Sequence, residues 1–329
     1  FIILLHYNQA IIIRLCINVC LNETDVIKMG NVNIQFALFI GIMALGYFLK
    51  RINIIKEQDG DGISRVIFNI TLPALIINTF NSMKIDKSLL IISAISLVYG
   101  FFMSLFGIFI FRKEPRKSRG ALSMLVPAFN VGLFAYPLFQ AIWGEKSLKY
   151  IGMFDMGNTI PTFVFCYIIA CYFSNGDAKI SYKDILKKLI SSIPLMSYII
   201  TLIINLAGLH YPEPVVAVCE ILQKANMPLS LILLGICLNF SIDKKFFKSM
   251  MKILLSRYGI GLFIGIILFK ILPFEPIFRY TILIGLILPI AMAVVPFSVQ
   301  FGYDKKFTGT MCSITIILSF ALTWIIISI

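Results

Sequence analysis

Long apolar stretches alternate with short polar ones along most of the chain. From Met29 onward, charged residues are concentrated between the apolar stretches. A helix rises about 1.5 Å per residue, so about 20 apolar residues cross the roughly 30 Å hydrocarbon core of a bilayer. The pattern predicts an all-α polytopic membrane protein with ten transmembrane helices, at about 33–52, 64–82, 88–111, 119–143, 148–173, 188–208, 214–240, 247–271, 277–301 and 305–328.

The composition excludes several other classes of protein. The 329 residues are 59% hydrophobic and 14% charged, with a mean hydropathy of +0.92, whereas soluble domains are about 45–50% apolar. A soluble fold of this size cannot hide so much apolar surface, and the few, aperiodic Gly and Pro residues exclude a disordered or collagen-like chain. Continuous apolar stretches also disfavour a β-barrel, whose strands alternate over about 10 residues.

The charge distribution predicts an orientation in the membrane. The net charge of +13 does not indicate nucleic-acid binding, because the basic residues lie in short loops. The odd-numbered loops carry 19 Lys and Arg residues and the even-numbered loops carry 6, and basic loops are typically cytoplasmic. We therefore expect a multi-pass protein of the cytoplasmic membrane with both termini outside the cytoplasm.

Motifs for metal binding or catalysis are missing from the sequence. The seven cysteines form no CxxC pair, and the two histidines, His6 and His210, supply no zinc-ligand set. The sequence also lacks metalloprotease, nucleotide-binding and serine-hydrolase motifs. We predict no enzyme activity, no metal and no cofactor.

The chain divides into two similar halves after an atypical start. Residues 1–28 carry Arg14 within an apolar stretch and precede the first methionine, so we expect an upstream or non-native extension. We predict a first half at 29–173, a cytoplasmic linker at 174–187 and a second half at 188–329. Five spans in each half require the halves to insert in opposite orientations, as an inverted repeat.

Matching prolines support this internal repeat. Pro73 and Pro228 occupy similar positions in spans two and seven, 155 residues apart. Pro137 and Pro296 do so in spans four and nine, 159 residues apart. The offsets of the two proline pairs differ by four residues. Each pair therefore supports the repeat only together with the span count and the charge pattern.

Spans four and nine also contain residues that interrupt helices. Span four has Pro127, Asn130, Gly132 and Pro137, and span nine has Gly285, Pro289 and Pro296. Proline inside a helix costs about 3 kcal/mol, and irregular backbone at membrane depth occurs where it is buried in protein or lines a cavity. Interrupted helices at matching positions of two halves predict a transport site; the alternative is a pair of kinks without function.

The ordered set of motifs resembles the auxin efflux carrier family of membrane transporters, with its bacterial malate and malonate permeases. The resemblance covers about 33–328 and rests on GYFLKRINII followed by FNITLPALI, on NVGLFAYPLFQAIWG and on LPIAMAVVPFSVQFGYD. Ala135 stands where this family usually has Gly. The resemblance implies two crossed, unwound helices, a scaffold of spans 1, 2, 6 and 7, and a mobile transport domain of spans 3–5 and 8–10. It also implies elevator-type alternating access and an organic anion, often a carboxylate, as substrate.

Several polar residues are candidates for the transport site. Asn130 can donate its amide to a carboxylate oxygen, although a helix–helix hydrogen bond is the alternative. Asp155 can carry a proton across the membrane, or it is simply hydrated near the outer interface. The remaining predicted substrate-binding residues are Tyr136, Pro137, Asn158, Pro289, Pro296 and Lys224.

Lys224 is expected to face the cavity; the alternative is that it extends to the interface, as lysines near helix ends do. Three other polar residues are assigned to structural roles. Arg257 is interpreted as an anchor near the cytoplasmic end of its span. Asn69 and Thr71 are expected to satisfy backbone groups freed by Pro73 rather than to touch substrate.

The combined prediction is a secondary active transporter of a small organic anion, with proton coupling as an option. The expected partners are that anion, the lipid bilayer and, as a possibility, a second copy of the chain in a homodimer. A membrane-embedded ligand sensor or a channel-like protein is the alternative function, since fold does not determine function.

Overall fold

The computed structural model describes residues 29–81, 83, 86–174, 182–240 and 246–328. The predicted extension at 1–28 lies outside these residues, as does the part 175–181 of the predicted linker at 174–187. The described part of the chain is helical and contains no β-strand. This confirms the all-helical fold class.

Thirteen helices are formed by the described residues. They are α1 (Met29–Arg51), α2 (Glu57–Asn81), α3 (Lys87–Ile110), α4 (Arg116–Ser123), α5 (Val131–Trp143), α6 (Glu145–Phe173), α7 (Tyr182–Ile190), α8 (Ile193–Leu206), α9 (Glu213–Cys237), α10 (Phe247–Ile271), α11 (Pro276–Gly285), α12 (Val294–Gln300) and α13 (Lys305–Ser328).

Seven of these helices are long and apolar enough to cross a membrane. They are α1, α2, α3, α6, α9, α10 and α13. Large apolar side chains such as Phe48, Val98, Ile221 and Phe263 are exposed on their outer faces, which is the arrangement expected where lipid replaces water. The chain is therefore a multi-pass membrane protein, as predicted.

The predicted start of span two, at 64, is wrong by seven residues. Helix α2 begins at Glu57, and its first turns carry Glu57, Asp59 and Asp61. Acidic residues are favourable in the first turn of a helix, so this polar segment is helical although it is too polar to be recognised as part of a span.

Predicted spans four and nine are interrupted helices. Non-helical backbone at 124–130 separates α4 from α5, and 286–293 separates α11 from α12. Four π-helical segments widen other helices, at Ile67–Thr71, Val131–Ala135, Pro161–Phe165 and Leu255–Gly259. Three of them contain or closely precede a proline, which cannot donate a backbone hydrogen bond; the fourth contains Arg257 instead.

Packing divides the helices into two groups. In the first group, α1 packs on α9, and α2 packs on α8 and α9. The α1–α9 contact is close, because a Cβ added at Gly235 would lie 2.0 Å from the backbone oxygen of Met43. In the second group, α3, α4 and α11 pack on α6, and α10 packs on α11. Helix α5 contacts both groups.

Candidate functional site

The two interrupted segments meet in the interior of the molecule. The backbone N–H of Asn130 donates to the backbone oxygen of Pro289 at 2.9 Å. Residues 122–130 and 281–291 are all buried. Irregular backbone is thus enclosed by protein, as the prediction of two broken crossing helices requires.

Hydroxyl groups from α13 satisfy part of the second segment. The N–H of Ile290 donates to Thr315 Oγ1 at 3.0 Å, and Ser319 Oγ donates to the oxygen of Ile287 at 2.7 Å. Buried backbone groups without partners are costly, so these two side chains stabilise a stretch of backbone that has left the helix.

Arg257, on α10, connects both interrupted segments. Its guanidinium donates to the backbone oxygens of Leu125 and Val126, at 3.1 and 2.6 Å, and to that of Leu288 at 2.7 Å. The side chain is 0% exposed. The prediction that Arg257 anchors α10 at the membrane interface is therefore wrong. An arginine well inside an apolar span is a functional hypothesis by default, and this signal could have identified it.

A cavity of about 560 Å³ lies beside the contact between the interrupted segments. It is lined by the start of α5, the middle of α6, the junction of α7 and α8, and the start of α12. Its polar lining residues are Ser64, Asn69, Asn130, Asp155, Asn158, Thr159, Thr162, Ser191, Ser192, Tyr198 and Gln300. The cavity is large enough for a small organic molecule, and it combines apolar walls with a few converging polar groups.

Asn130 lies in the cavity wall where α5 begins. Its Oδ1 accepts a hydrogen bond from the N–H of Leu133 at 3.2 Å, which caps the helix. Its Nδ2 is buried and has no hydrogen-bond partner among the described residues. A buried amide donor without a partner is unfavourable unless something else accepts from it.

Asp155 also lines the cavity, and it accepts a hydrogen bond from Tyr198 Oη at 3.0 Å. Tyr198, on α8, is in turn hydrogen-bonded to Tyr136, on α5. Both tyrosines are fully buried. The structure thus places Tyr136 behind the cavity wall rather than in it. Sequence reasoning missed Tyr198, which no motif distinguishes from other aromatic residues in apolar helices.

Asn158 lies one turn beyond Asp155 and lines the same cavity. Its Nδ2 donates to the backbone oxygen of Phe129 at 2.9 Å, and its Oδ1 accepts from Thr162 at 3.1 Å. Asn158 therefore positions the residue that precedes Asn130. The spacing of Asp155 and Asn158 placed them on one helical face, and the structure shows them together.

The predicted proline sites are distributed around the contact between the interrupted segments. Helix α5 begins with the π-helical turn Val131–Ala135, and its α-helical part begins at Tyr136, so Pro137 lies in the first turn of that part. Helix α12 begins at Val294, and Pro296 lies in its first turn, where a missing N–H costs little. Pro296 lines the cavity, Pro137 is buried outside it, and Pro289 contributes only its backbone oxygen to the contact.

Lys224 does not face the cavity. It lies at the interruption of α9, its side chain is exposed, and it is absent from the cavity lining. A basic side chain at such a position extends toward the interface more cheaply than it remains in an apolar interior. The position of Lys224 therefore fits the alternative expectation, that its side chain extends to the membrane interface.

Thr71 and Asn69 differ from their expected roles. Thr71 Oγ1 donates to Asn226 Oδ1, on α9, at 3.1 Å, rather than to a backbone group freed by Pro73. Asn69 lines the cavity. Both residues lie within the π-helical segment Ile67–Thr71 of α2.

Comparison with known proteins gives a consistent picture. A family described as "Membrane transport protein" matches residues 33–327. An uncharacterized transporter of Methanothermobacter thermautotrophicus is 26% identical over 219 residues, which are 65% of this chain and 70% of the relative. An uncharacterized transporter of Methanocaldococcus jannaschii is 26% identical over 208 residues, which are 60% of this chain and 66% of the relative.

Proposed function

We propose, from the premise that this chain belongs to the membrane transport protein family, the auxin efflux carrier family, that it carries a small organic anion across the cytoplasmic membrane. The family is one of transporters and not of enzymes. The substrate we favour is a carboxylate. The protein is proposed to be a secondary active transporter, driven by an ion or solute gradient.

The unpartnered Nδ2 of Asn130 is the observation that carries this proposal. A carboxylate in the cavity would accept from this amide, since an ionised oxygen is a stronger acceptor than a neutral one. The N-terminal end of α5 faces the same space, and a helix N-terminus favours negative charge. Apolar residues such as Phe68, Phe163 and Phe297 supply the rest of the wall for the carbon skeleton.

Two contacts support ten spans arranged as an inverted repeat. Thr71 bonds to Asn226, and these positions are 155 residues apart, the offset that aligns Pro73 with Pro228. Asn130 bonds to Pro289, and these positions are 159 residues apart, the offset that aligns Pro137 with Pro296. Equivalent residues touch one another only near a twofold axis, so both contacts fit one pseudo-twofold axis in the membrane plane.

Alternating access is proposed to follow from the two packing groups. The group of α1, α2, α8 and α9 would be the scaffold, and the group of α3, α4, α6, α10 and α11 would move against it. The cavity lies between the groups, with Tyr198 on one side and Asp155 on the other. It reaches Ser192 and Gln300, next to loops that the basic residues assign to the cytoplasm. We therefore assign the structure to the inward-facing state, with both termini outside.

Asp155 is the residue we propose for proton coupling. It lines the substrate cavity and is bonded to a side chain of the opposite group, so its ionisation affects both substrate binding and the contact between groups. Removing the charge by protonation weakens the hydrogen bond that it accepts from Tyr198. Proton binding would in this way favour movement of the two groups past each other.

Uptake into proteoliposomes tests the proposal. The purified protein is assayed with malate, malonate, 2-oxoglutarate and indole-3-acetate, with and without an inward proton gradient. We expect accumulation of at least one acid, and loss of that uptake in Asn130→Ala. Asn33→Ala, on the outer face of α1, is the matched control and should transport normally.

Two outcomes would contradict the transport proposal. Binding of an acid without any flux would favour a ligand sensor, and flux at rates far above those of carriers would favour a channel. Neither binding nor flux for any acid would overturn the choice of substrate class. Dimer formation, which remains a prediction, is measured separately by the mass of the purified protein in detergent.

A further inference from the structure

Arg257 is a cation in the interior of the molecule whose charge is not neutralised by the surrounding protein. All three of its hydrogen bonds go to backbone oxygens. None of the carboxylates in the described ranges forms an ion pair with it, and its Nε has no partner there. A buried unpaired charge is strongly destabilising, so its retention here requires a reason.

Part of that reason lies in the backbone that Arg257 contacts. Leu125 and Val126 follow the C-terminal end of α4, and Leu288 follows the C-terminal end of α11. These three carbonyls lie just beyond the helix ends, in the non-helical segments. Buried backbone carbonyls need hydrogen-bond donors, and a charged guanidinium is a strong one. One guanidinium therefore connects both interrupted segments.

The planar geometry of arginine suits this position. Its donors point in fixed directions and can reach carbonyls from two chain segments at once, whereas the ammonium of lysine is a single point charge. The π-helical segment Leu255–Gly259 around Arg257 contains no proline. Such segments are frequent at functional sites, and this one displaces the arginine from the regular helical register.

The charge also lies close to the cavity. The guanidinium carbon is 4.4 Å from the centre of the Phe129 ring, and Phe129 lines the cavity next to Asn130. The cation thus lies directly behind one aromatic residue of the cavity wall. In surroundings of low dielectric constant, a charge acts over such a distance with little screening.

We propose that Arg257 is a positioning residue that holds the two interrupted segments together and supplies the positive charge by which the cavity selects anions over neutral molecules. This inference rests on the proposed function, because it explains why that site takes an anion. It assigns to one buried side chain both the shape of the site and its charge preference. A bound anion then supplies the negative charge that the surrounding protein does not.

Two substitutions separate these roles. Arg257→Gln removes the charge and keeps an amide donor, and Arg257→Lys keeps the charge and loses the planar set of donors. Each variant is reconstituted as the full chain and assayed with the four acids and their methyl esters, which are the neutral counterparts. Arg279→Gln is the matched control, because Arg279 also stacks on a phenylalanine, Phe269, at 5.1 Å, but lies outside the cavity.

The two variants have different expected results. In Arg257→Gln, the KM for the transported acid should rise about tenfold or more, and the preference for acid over ester should disappear. In Arg257→Lys, the preference should persist while turnover falls about tenfold or more, because lysine cannot hold both segments. Arg279→Gln should resemble the unmodified protein in both properties.

Other results would overturn the inference. If Arg257→Gln keeps its preference for acids, the charge has no role in selection. If both variants lose acid and ester binding in parallel, Arg257 serves only the stability of the fold. Should Arg257→Gln not fold, Arg257→Lys decides alone: lower turnover with retained preference supports the inference, and parallel loss overturns it.

Failure of the proposed function is recognised from the unmodified protein. If that protein transports none of the acids, binding of each acid and ester is measured by thermal shift instead, in the unmodified protein and in Arg257→Gln. If an acid binds to the unmodified protein but not to Arg257→Gln, the result supports charge selection without transport. If no acid binds to the unmodified protein, the inference fails together with the proposed substrate class.

Discussion

The two interrupted segments meet in the interior and differ in chemistry. The first presents Asn130, a cavity-lining residue whose Nδ2 has no partner among the described residues, whereas the second presents Pro289, which offers only its backbone oxygen. The first is capped by its own Asn130, and the second depends on Thr315 from α13. At the 159-residue offset, Asp155 corresponds to Ile314. In the proposed repeat, the cavity-lining residues Asn130 and Asp155 would thus have apolar counterparts in the second copy.

Exchanging the amide of Asn130 for a carboxylate tests this asymmetry most severely. Asn130→Asp keeps the oxygen that caps Leu133 and replaces the free donor by a negative charge. A hydrogen bond to a charged group contributes about 1.5–3 kcal/mol, so its replacement by repulsion should reduce anion uptake about 100-fold or more. Pro289→Ala retains the backbone oxygen of the second segment, and initial rates of uptake should change by less than about threefold. Equal losses in the two variants would refute the asymmetry.

Asp155→Asn tests whether the carboxylate of the first half couples transport to protons. The amide can still accept a hydrogen bond from Tyr198 but cannot exchange a proton. We expect uptake that no longer responds to an inward proton gradient, measured at equal internal and external substrate concentration. A gradient response that survives the substitution would assign coupling to another residue.

Thr315→Val tests how the second segment is stabilised. The substitution leaves the buried N–H of Ile290 without its partner, which costs about 1–3 kcal/mol. The midpoint of thermal unfolding in detergent should therefore fall. Affinity for the transported acid should change far less than in Asn130→Asp, since Thr315 lies outside the cavity lining. A large loss of affinity with unchanged stability would mean that α13 also contacts the substrate.

Lys224→Ala should have the smallest effect. The side chain is exposed at the interruption of α9 and does not line the cavity. Exposed charges contribute about 0–1 kcal/mol, so we expect uptake within about twofold of the unmodified protein. A loss comparable to that of Asn130→Asp would require Lys224 to enter the cavity in another state of the transport cycle.

Much of the fold could be predicted because hydrophobic length is a local property. The apolar stretches located α1, α3, α6, α10 and α13 to within about four residues at each end. Asn130 and the prolines of spans four and nine marked both interruptions correctly. The start of α2 was missed because its first turns are polar.

Less of the site could be predicted, because it depends on contacts between distant segments. Asn130, Asp155, Asn158 and Pro296 do meet in one cavity. Tyr198 was missed, Lys224 was placed on the wrong side of its helix, and Arg257 was assigned to the interface although it is enclosed. In each case the decisive fact is which segment lies opposite, and no local pattern carries that information.

The sequence by itself determined that the chain is a multi-pass helical membrane protein with two proline-containing interruptions, because a bilayer demands continuous apolar length and proline removes backbone hydrogen bonds. Only the tertiary structure decided that the two interruptions meet, that a buried arginine bonds to both, and that an asparagine with an unpartnered amide lines a cavity. These features arise from pairing between segments more than 100 residues apart, such as Arg257 with Leu125 and Asn130 with Pro289. Such pairing is selected by the packing and hydrogen bonding of the whole molecule.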